Sequence, residues 1–287
     1  MSTLTGVDLT SPPDGLGVLA FRGADAARFL QGQLSADVDK LDDGASTLAG
    51  LHNPQGRVLA LLALVRASRE EILAVLPREL VPVVEQRLRK YVLRAKVRIE
   101  DLCASLRVIG AAAGEPGPAG LARISWGERA LLLAPAALEL DEAMPREPWG
   151  RADIAAGLPQ VFTATSEAFV AQMLNLDLLG AIAFDKGCYT GQEVIARAHY
   201  RGRVKRRMQR WLNASGVALA PADNARAPDG RALTVVRVAQ RPDGQQEILA
   251  IGNFAAATAP LAETPAADGT AGPEVSGPLT LPYPLPD

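Results

Sequence analysis

Between Gly17 and Ile99, apolar residues occur in short runs that are separated by charged residues and turn formers. Short apolar runs bounded in this way are typical of β-strands. We predict strands over Gly17–Phe21, Thr47–Leu51, Val58–Val65, Ile72–Leu76 and Val97–Ile99. The exception is Pro77–Leu93, where apolar residues recur at helical spacing and predict an amphipathic helix. This order of strands and helix favours an α+β fold with antiparallel or mixed strand pairing.

The second half of the chain divides into a helical part and a strand-rich part. Helices are predicted over Thr165–Leu174 and Thr190–Ala198. Strands are predicted over Met208–Leu212, Leu233–Val238 and Ile248–Ile251. Because Gly, Pro and Asp punctuate these strands, the pattern is typical of a small β barrel or sandwich. After Ala255 the chain is rich in Ala, Pro and Gly and is expected to be largely irregular.

Composition and charge exclude several classes of protein. Hydrophobic residues make up 48% of the chain, which argues against wholesale disorder. Lys and Arg number 30 against 32 Asp and Glu, so a net charge of -2 leaves only local sites for an anionic partner. Two cysteines supply neither a disulfide framework nor the usual four thiolates of an iron–sulfur cluster. With no long apolar run and no basic N-terminal leader, we expect a soluble, cytoplasmic protein.

The densest group of chemically capable residues is the sequence KGCYTGQE at Lys186–Glu193. Thr190 and Glu193 fit a capping box, which predicts a helix that begins at Thr190. The unpaired N–H groups and the positive end of that helix would lie close to the sulfur of Cys188, and Lys186 adds a formal positive charge. Both influences favour the thiolate, so we predict a reactive thiol.

Two glycines flank this cysteine. Gly187 and Gly191 remove side-chain bulk, so that a ligand can approach the backbone closely. The alternative is that Cys188 is a small buried hydrophobic residue, as free cysteines commonly are. For Cys103, which follows an apolar residue at the end of a strand, we expect only the buried role.

A basic run follows at Arg197–Arg210, with seven Lys and Arg residues and no acidic residue. Arg201, Arg203 and Lys205 alternate, which would put them on one face of an extended segment. In an acidic protein, such a run predicts a local anion site or a docking surface for an acidic partner. A phosphate, a polyglutamate tail and RNA all fit this run, and a solvated surface is the alternative.

From Ile154 to Arg207 the sequence resembles the signature region of the YgfZ family. This family comprises folate-binding proteins tied to iron–sulfur cluster assembly and repair, and it is related to the glycine cleavage aminomethyltransferase. The longest shared motif is Lys186–Glu193, with Arg197 after it. Further support comes from Ala156–Pro159, Thr165–Ser166 with Phe169 and Gln172, Asn175–Leu176, Phe29–Gln33 with Asp37, Asn53–Arg57, and Lys96–Val97 before Asp101.

The resemblance implies an aminomethyltransferase-like ring of three domains around a central opening that holds tetrahydrofolate. Two of these domains are α+β and the third is a small C-terminal β barrel. The expected boundaries are 1–45 with 106–200 for a discontinuous folate-binding domain, 46–105 for the second α+β domain, 201–257 for the β barrel, and 258–287 for a largely irregular tail.

The function that the resemblance implies is that of an accessory protein for the assembly or repair of iron–sulfur proteins, with a link to tRNA modification. Its cofactor would be tetrahydrofolate or a one-carbon derivative, and its partners would be iron–sulfur client proteins. Cys188 and Lys186 are the expected catalytic residues. The basic run would serve an acidic partner or RNA, and neither a metal site nor a membrane partner is expected.

Nine residues are expected to contact the folate: Gln31, Gln33, Asn53, Arg57, Tyr189, Gly191, Gln192, Glu193 and Arg197. The amides of Gln31 and Gln33 suit the polar edges of a pterin, although their alternative role is to cap a helix end. Arg57 and Arg197 suit the folate carboxylates, which a guanidinium binds through two parallel hydrogen bonds.

One departure from the related enzymes concerns catalysis. The aminomethyltransferases resemble this chain around Asn53–Val58 and carry a carboxylate directly afterwards, whereas this chain has Leu59–Leu62. Activation of a pterin nitrogen needs a charged or hydrogen-bonding group. A folate-dependent aminomethyl- or methyl-transferase is therefore the alternative function, and whether the protein is an enzyme stays open. A third hypothesis is a non-catalytic docking module for RNA or protein built on the basic run.

Overall fold

The computed structural model describes residues 5–12, 14–114, 122–126, 128–140, 142–202, 204–253 and 272–286. These residues form a mixture of helix and strand that is largely sheet. The strands of this part form three five-stranded sheets. Within the same residues, no helix is both long enough and apolar enough to cross a membrane.

The strands in chain order are β1 (Thr5–Asp8), β2 (Leu16–Arg22), β3 (Ser46–His52), β4 (Val58–Ser68), β5 (Glu71–Pro77), β6 (Arg98–Asp101), β7 (Leu106–Ala112), β8 (Ala122–Trp126), β9 (Arg129–Pro135), β10 (Glu142–Ala143), β11 (Arg206–Asn213), β12 (Asn224–Arg226), β13 (Ala232–Gln240), β14 (Gln246–Asn253) and β15 (Ser276–Leu279). The α-helices are α1 (Ala26–Gln31), α2 (Val81–Arg89), α3 (Glu147–Ala155) and α4 (Gln192–Tyr200). Short 3-10 helices lie at Arg78–Leu80, Thr163–Thr165 and Ala171–Leu174.

Sheet I has the strand order β10-β1-β7-β9-β8, sheet II the order β3-β4-β5-β2-β6, and sheet III the order β12-β13-β14-β11-β15. Strand β8 of sheet I packs against β3 and β4 of sheet II, while α1 and α2 pack against β5, β2 and β6 of sheet II. Strand β4 is buried at every residue from Val58 to Val65. Because successive side chains of a strand point to opposite faces, both faces of β4 are covered, which explains its unbroken apolar sequence.

The predicted strands of sheets II and III are confirmed, but the sheets do not follow the predicted domain boundaries. Strand β2 lies between β5 and β6 in sheet II, although the boundary at residue 45 separates it from both. Strand β15 pairs with β11 in sheet III and lies within the predicted irregular tail 258–287. Residues 258–271 of that tail lie outside the described residues. The division into domains stays a prediction.

Two predicted helices differ from the observed structure. The helix predicted over Pro77–Leu93 is a 3-10 turn followed by the shorter α2. Over Thr165–Leu174 no α-helix forms, and two 3-10 turns take its place. Between these turns, the N–H of Glu167 donates to the carbonyl of Val58, and the N–H of Val58 donates to the carbonyl of Phe169. Backbone groups paired with β4 are not available for helical hydrogen bonds.

Candidate functional site

The KGCYTGQE motif leads directly into α4, but not through the predicted cap. Helix α4 begins at Gln192 with Gly191 as its N-cap, and no side chain caps it. The capping box predicted for Thr190 and Glu193 is therefore wrong. Gly191 has a φ of 83°, in the left-handed region that favours glycine. Cys188 lies one position further from the helix start than the capping box implied.

The ammonium of Lys186 is buried and fully engaged. Its Nζ donates hydrogen bonds to the carbonyl oxygens of Gln31, Leu34 and Ala36, each at 2.7 Å. An ammonium group has three donors, so none remains for another partner. Burial lowers the pKa of Lys186 to about 8, while the charge of Asp37 acts in the opposite direction. The amine is thus mostly charged at neutral pH.

Tyr189 is a second buried side chain of the motif. The Lys186 Nζ lies 5.1 Å from the centre of its ring, and the centre of the His52 ring lies 6.1 Å from the same point. Burial raises the pKa of Tyr189 to about 12 and lowers the pKa of His52 to about 3. Neither nitrogen of His52 has a hydrogen-bond partner among the described residues. Both rings are therefore neutral near pH 7.

Gly187 and Cys188, which lie between the buried residues Lys186 and Tyr189 in the sequence, are exposed. A Cβ added at Gly187 would meet no atom within 4 Å, so the space beside the cysteine is open. The buried alternative for Cys188 is therefore wrong. Cys103 is half-buried, and burial followed by a hydrogen bond with Asp101 raises the pKa of its thiol to about 11. Of the two thiols, only that of Cys188 is presented to solvent.

The Asn53–Arg57 turn packs against the start of α4. A Cβ added at Gly191 would stand 2.5 Å from the carbonyl oxygen of Asn53 and 3.0 Å from the Cα of Gly56. The Asn53 Oδ1 accepts hydrogen bonds from the N–H groups of Gln55 and Arg57, both at 3.0 Å. Two motifs that are far apart in the sequence thus meet, but the Asn53 side chain is occupied within its own turn.

Two more of the side chains predicted to contact folate, those of Gln31 and Arg57, already have hydrogen-bond partners within the protein. The Gln31 side chain donates to the Asp37 carboxylate at 2.9 Å and accepts from the N–H of Val38 at 2.7 Å. Gln31 therefore has a structural role, but it holds the loop at residues 37–39 and does not cap a helix end as the alternative expected. The guanidinium of Arg57 donates to the carbonyl of Ala168 at 2.6 Å. Gln33 is half-buried and its side chain makes no hydrogen bond with described residues.

The remaining predicted contacts lie on or near α4. Glu193 and Arg197 are exposed and form no ion pair within the described part of the chain. The Gln192 amide lies 3.5 Å from the Lys186 carbonyl oxygen. The structure therefore brings Gln192 and Tyr189 next to Lys186 and Gly191 next to Asn53, whereas the side chain of Arg197 is exposed.

The basic run divides into internal and exposed residues. Arg207 is buried and forms a two-point ion pair with Asp177, at 2.8 Å and 3.0 Å. Arg210 pairs with Glu247 at the edge of the core. Arg201 and Lys205 are exposed and have no ion pair among described residues, and Arg203 lies outside the described residues. Only part of the run is available for an anionic partner.

A cavity of about 780 Å³ lies where the three sheets meet. Its lining residues come from sheets I, II and III, from α3 and from the loops beside them, and include Leu61, Trp126, Arg146, Trp149, Asp153 and Arg237. None of the residues predicted to contact folate is among its described lining residues. No sequence motif predicted these walls. Tryptophan is the residue type that could have pointed to this cavity, because the chain has only three tryptophans and two of them line it.

Among the charged residues of the described lining, Asp153 and Arg237 are paired, whereas Asp14, Arg146 and Glu147 form no ion pair with described residues. The Asp153 carboxylate accepts from Arg129 at 2.5 Å and from Arg237 at 2.6 Å, which links sheets I and III through α3. Arg146 donates to the backbone carbonyl groups of Ser11 and Asp14. Its positive charge has no carboxylate partner in the described residues, so it can still attract an anion.

No family model matches the chain. An uncharacterized protein from Haemophilus influenzae is 38% identical over 67% of this chain and 69% of its own length. The tRNA-modifying protein YgfZ of Edwardsiella ictaluri is 32% identical over 69% of this chain and 68% of its own length.

A solved structure shares the fold. The glycine cleavage system aminomethyltransferase T of Bartonella henselae superposes with a TM-score of 0.65 at 15% identity, covering 88% of this chain and 79% of that protein. A structural match at 15% sequence identity shows a shared fold and nothing more. The sequence match to a YgfZ protein covers most of both chains at 32% identity. The chain belongs to the YgfZ family.

Proposed function

We propose that this protein is a tetrahydrofolate-binding accessory factor for the assembly or repair of iron–sulfur proteins, with folate in the cavity between the sheets and Cys188 as its reactive group. The single observation that carries the proposal is this 780 Å³ cavity with tryptophans and arginines in its walls. The YgfZ-named relative and the aminomethyltransferase fold support it. At the finer level, we propose a ring of three domains with a C-terminal barrel, in a cytoplasmic protein.

The residues of the cavity fit a folate in size and chemistry. Ligand pockets commonly measure about 300–1,000 Å³, and this cavity lies within that range. Trp126 and Trp149 offer aromatic surfaces for a flat pterin or benzoyl ring. Arg146, which has no carboxylate partner among the described residues, offers a guanidinium group for the glutamate carboxylates. A bound tetrahydrofolate would supply a carrier for a one-carbon unit.

Binding without turnover is the form of the proposal that the cavity supports best. Leu61 stands in the cavity wall, in the stretch where the related enzymes have a carboxylate. The Asp153 carboxylate already forms ion pairs with Arg129 and Arg237. A folate-dependent aminomethyl- or methyl-transferase remains the alternative. Transfer of a labelled one-carbon unit from folate by the purified protein would favour the alternative.

Tryptophan fluorescence tests folate binding directly. Trp126 and Trp149 line the cavity, whereas Trp211 is fully buried in the core of sheet III. We expect tetrahydrofolate to quench the wild-type fluorescence and to raise the unfolding temperature. At a hundredfold excess over Kd, one bound ligand adds about 2.7 kcal/mol of stability. Trp126→Phe and Trp149→Phe should each lose part of the quenching, and Trp211→Phe is the control that should retain it.

Two arginine variants locate the site. If folate lies in the cavity, Arg146→Ala weakens binding and Arg197→Ala does not. The opposite result would place the folate beside the KGCYTGQE motif, as the sequence-based contacts at Arg57, Tyr189, Gln192 and Arg197 imply. No quenching and no thermal shift at millimolar tetrahydrofolate would remove folate from the proposal altogether.

The partners in this proposal are iron–sulfur client proteins. The exposed part of the basic run would bind an acidic surface of such a client, or RNA. The exposed cations Arg197, Arg201 and Lys205 support a partner of negative charge. The Edwardsiella relative is named a tRNA-modifying protein, which keeps RNA among the partners. Complementation separates a factor that uses a reactive cysteine from a docking module without chemistry. If Cys188 is the reactive group, Cys188→Ser should abolish function. A docking module would lose function only in Arg201→Glu/Lys205→Glu.

A further inference from the structure

We propose that Lys186 is a positioning residue, whose ammonium anchors the turn that presents Cys188 and does not act on a substrate. This inference rests on the proposed function, because it takes the Cys188 thiol as the functional group. It replaces the catalytic role expected for Lys186 from the sequence.

The first step of the argument is the direction of the three hydrogen bonds. The Lys186 Nζ donates to three backbone carbonyls, those of Gln31, Leu34 and Ala36. A cation that stabilises a thiolate directly would aim at least one donor at the sulfur. Here every donor is used by the backbone, and a charged amine has no lone pair with which to accept a proton.

The second step is the rigidity of the acceptors. The segment that holds these carbonyls is itself attached to sheet II, since the N–H of Ser35 donates to the Gly50 carbonyl and Leu34 bridges to Leu51. The Ser35 Oγ accepts from the N–H of Gly50 at 2.8 Å. The Lys186 side chain therefore ties the cysteine turn, through this segment, to Gly50 and Leu51 of β3.

The third step is the spacing within the motif. Lys186 and Tyr189 are both buried, and only Gly187 and Cys188 are exposed between them. The ring of Tyr189 lies 5.1 Å from the Lys186 Nζ, so the two anchors also support each other. Because two buried side chains hold both ends of a two-residue exposed span, the direction of the Cys188 side chain is restricted.

The test compares Lys186→Met with Lys40→Met in the full-length protein. Lys40 is the matched control, because its ammonium is close in the fold but 68% exposed and bridges Asp37 and Asp185 at the surface. Two quantities are measured: hydrogen exchange of residues 183–191, and the pH profile of Cys188 alkylation by iodoacetamide, resolved from Cys103 by mass spectrometry.

A positioning role predicts that Lys186→Met speeds exchange over residues 183–191 by roughly tenfold or more, because charge-assisted hydrogen bonds are lost. The pH of half-maximal alkylation should stay where it is in the wild type, and Lys40→Met should change neither quantity. A shift of that pH with unchanged exchange would overturn the proposal, since Lys186 would then act on the sulfur. No change in either quantity would overturn it too.

Lys186→Arg keeps the inference testable if Lys186→Met does not fold. A planar guanidinium retains the charge but cannot direct three donors at carbonyls converging on one point. The positioning role therefore predicts fast exchange in Lys186→Arg, whereas restored exchange protection would show that charge alone matters. Neither assay contains folate, so a failure of folate binding would contradict the proposed function and leave this inference intact.

Discussion

The carbonyl oxygen of Asn53 lies 2.5 Å from the position that a Cβ would occupy at Gly191. This contact joins the Asn53–Arg57 turn to the start of α4, and so brings the longest motif shared with the YgfZ family against one of the further motifs. No other residue type can stand at Gly191 without moving one of the two motifs. Gly187, only four positions earlier, faces open space instead.

Gly191→Ala should therefore destabilise the protein, and Gly187→Ala should not. At Gly191 the substitution adds both a backbone strain at φ 83° and a clash, and we expect a loss of about 2 kcal/mol or more in the free energy of unfolding. At Gly187 the effect should stay within about 0.5 kcal/mol. Urea unfolding of both variants measures this, and equal losses would contradict the contact.

The two cysteines should differ strongly in reactivity. Cys188 is exposed, whereas Cys103 is half-buried and burial raises the pKa of its thiol to about 11. At pH 8, roughly one part in a thousand of the Cys103 thiol is ionised, and alkylation requires the thiolate. Brief treatment with iodoacetamide should label Cys188 in the folded protein and Cys103 only after unfolding. Equal labelling of both in the native protein would contradict this arrangement.

The strands of sheets II and III were predictable because their signal is local. Val58–Val65 is a continuous apolar run between turn formers, and burial of both faces of β4 follows from it. Helix α3 has a weaker signal, because its buried face carries Asp153 beside Ile154, although Pro148 in its first turn is compatible with a helix start. It is helical because it packs against β13 and β14, which are distant in the sequence.

The candidate site was predictable only where residue type carries the information. The exposed cysteine in a glycine-flanked motif could be recognised from sequence. The partners of Lys186 could not, because they are backbone carbonyls, and any residue supplies a carbonyl. The cavity walls could not be predicted for another reason. Leu61, Leu131 and Val238 belong to three different sheets, and only tertiary packing brings them together.

Arg207 should contribute to stability and not to the binding of an anionic partner. Its guanidinium and the Asp177 carboxylate form a buried pair at 2.8 Å. Removal of one partner leaves an uncompensated buried charge and costs about 3–5 kcal/mol. We expect Arg207→Ala to lower the denaturation midpoint sharply, whereas Arg201→Ala, at an exposed position of the same run, should leave it nearly unchanged. Similar midpoints for the two variants would show that the run is a surface throughout.

His52 should make the protein sensitive to mild acid. Burial lowers the pKa of His52 to about 3 in the folded state, against 6.5 for an ordinary histidine. Between these values the unfolded chain binds a proton that the folded chain does not, so this histidine's contribution to stability is complete above pH 6.5 and declines as the pH falls towards 3. The slope is at most about 1.4 kcal/mol per pH unit. His52→Leu should flatten the stability profile in this range. His199→Gln, which alters an exposed histidine stacked on Phe184 at 3.8 Å, is the control and should keep the wild-type slope. A profile that steepens or stays unchanged in His52→Leu would show that His52 is protonated in the folded protein and has a partner there.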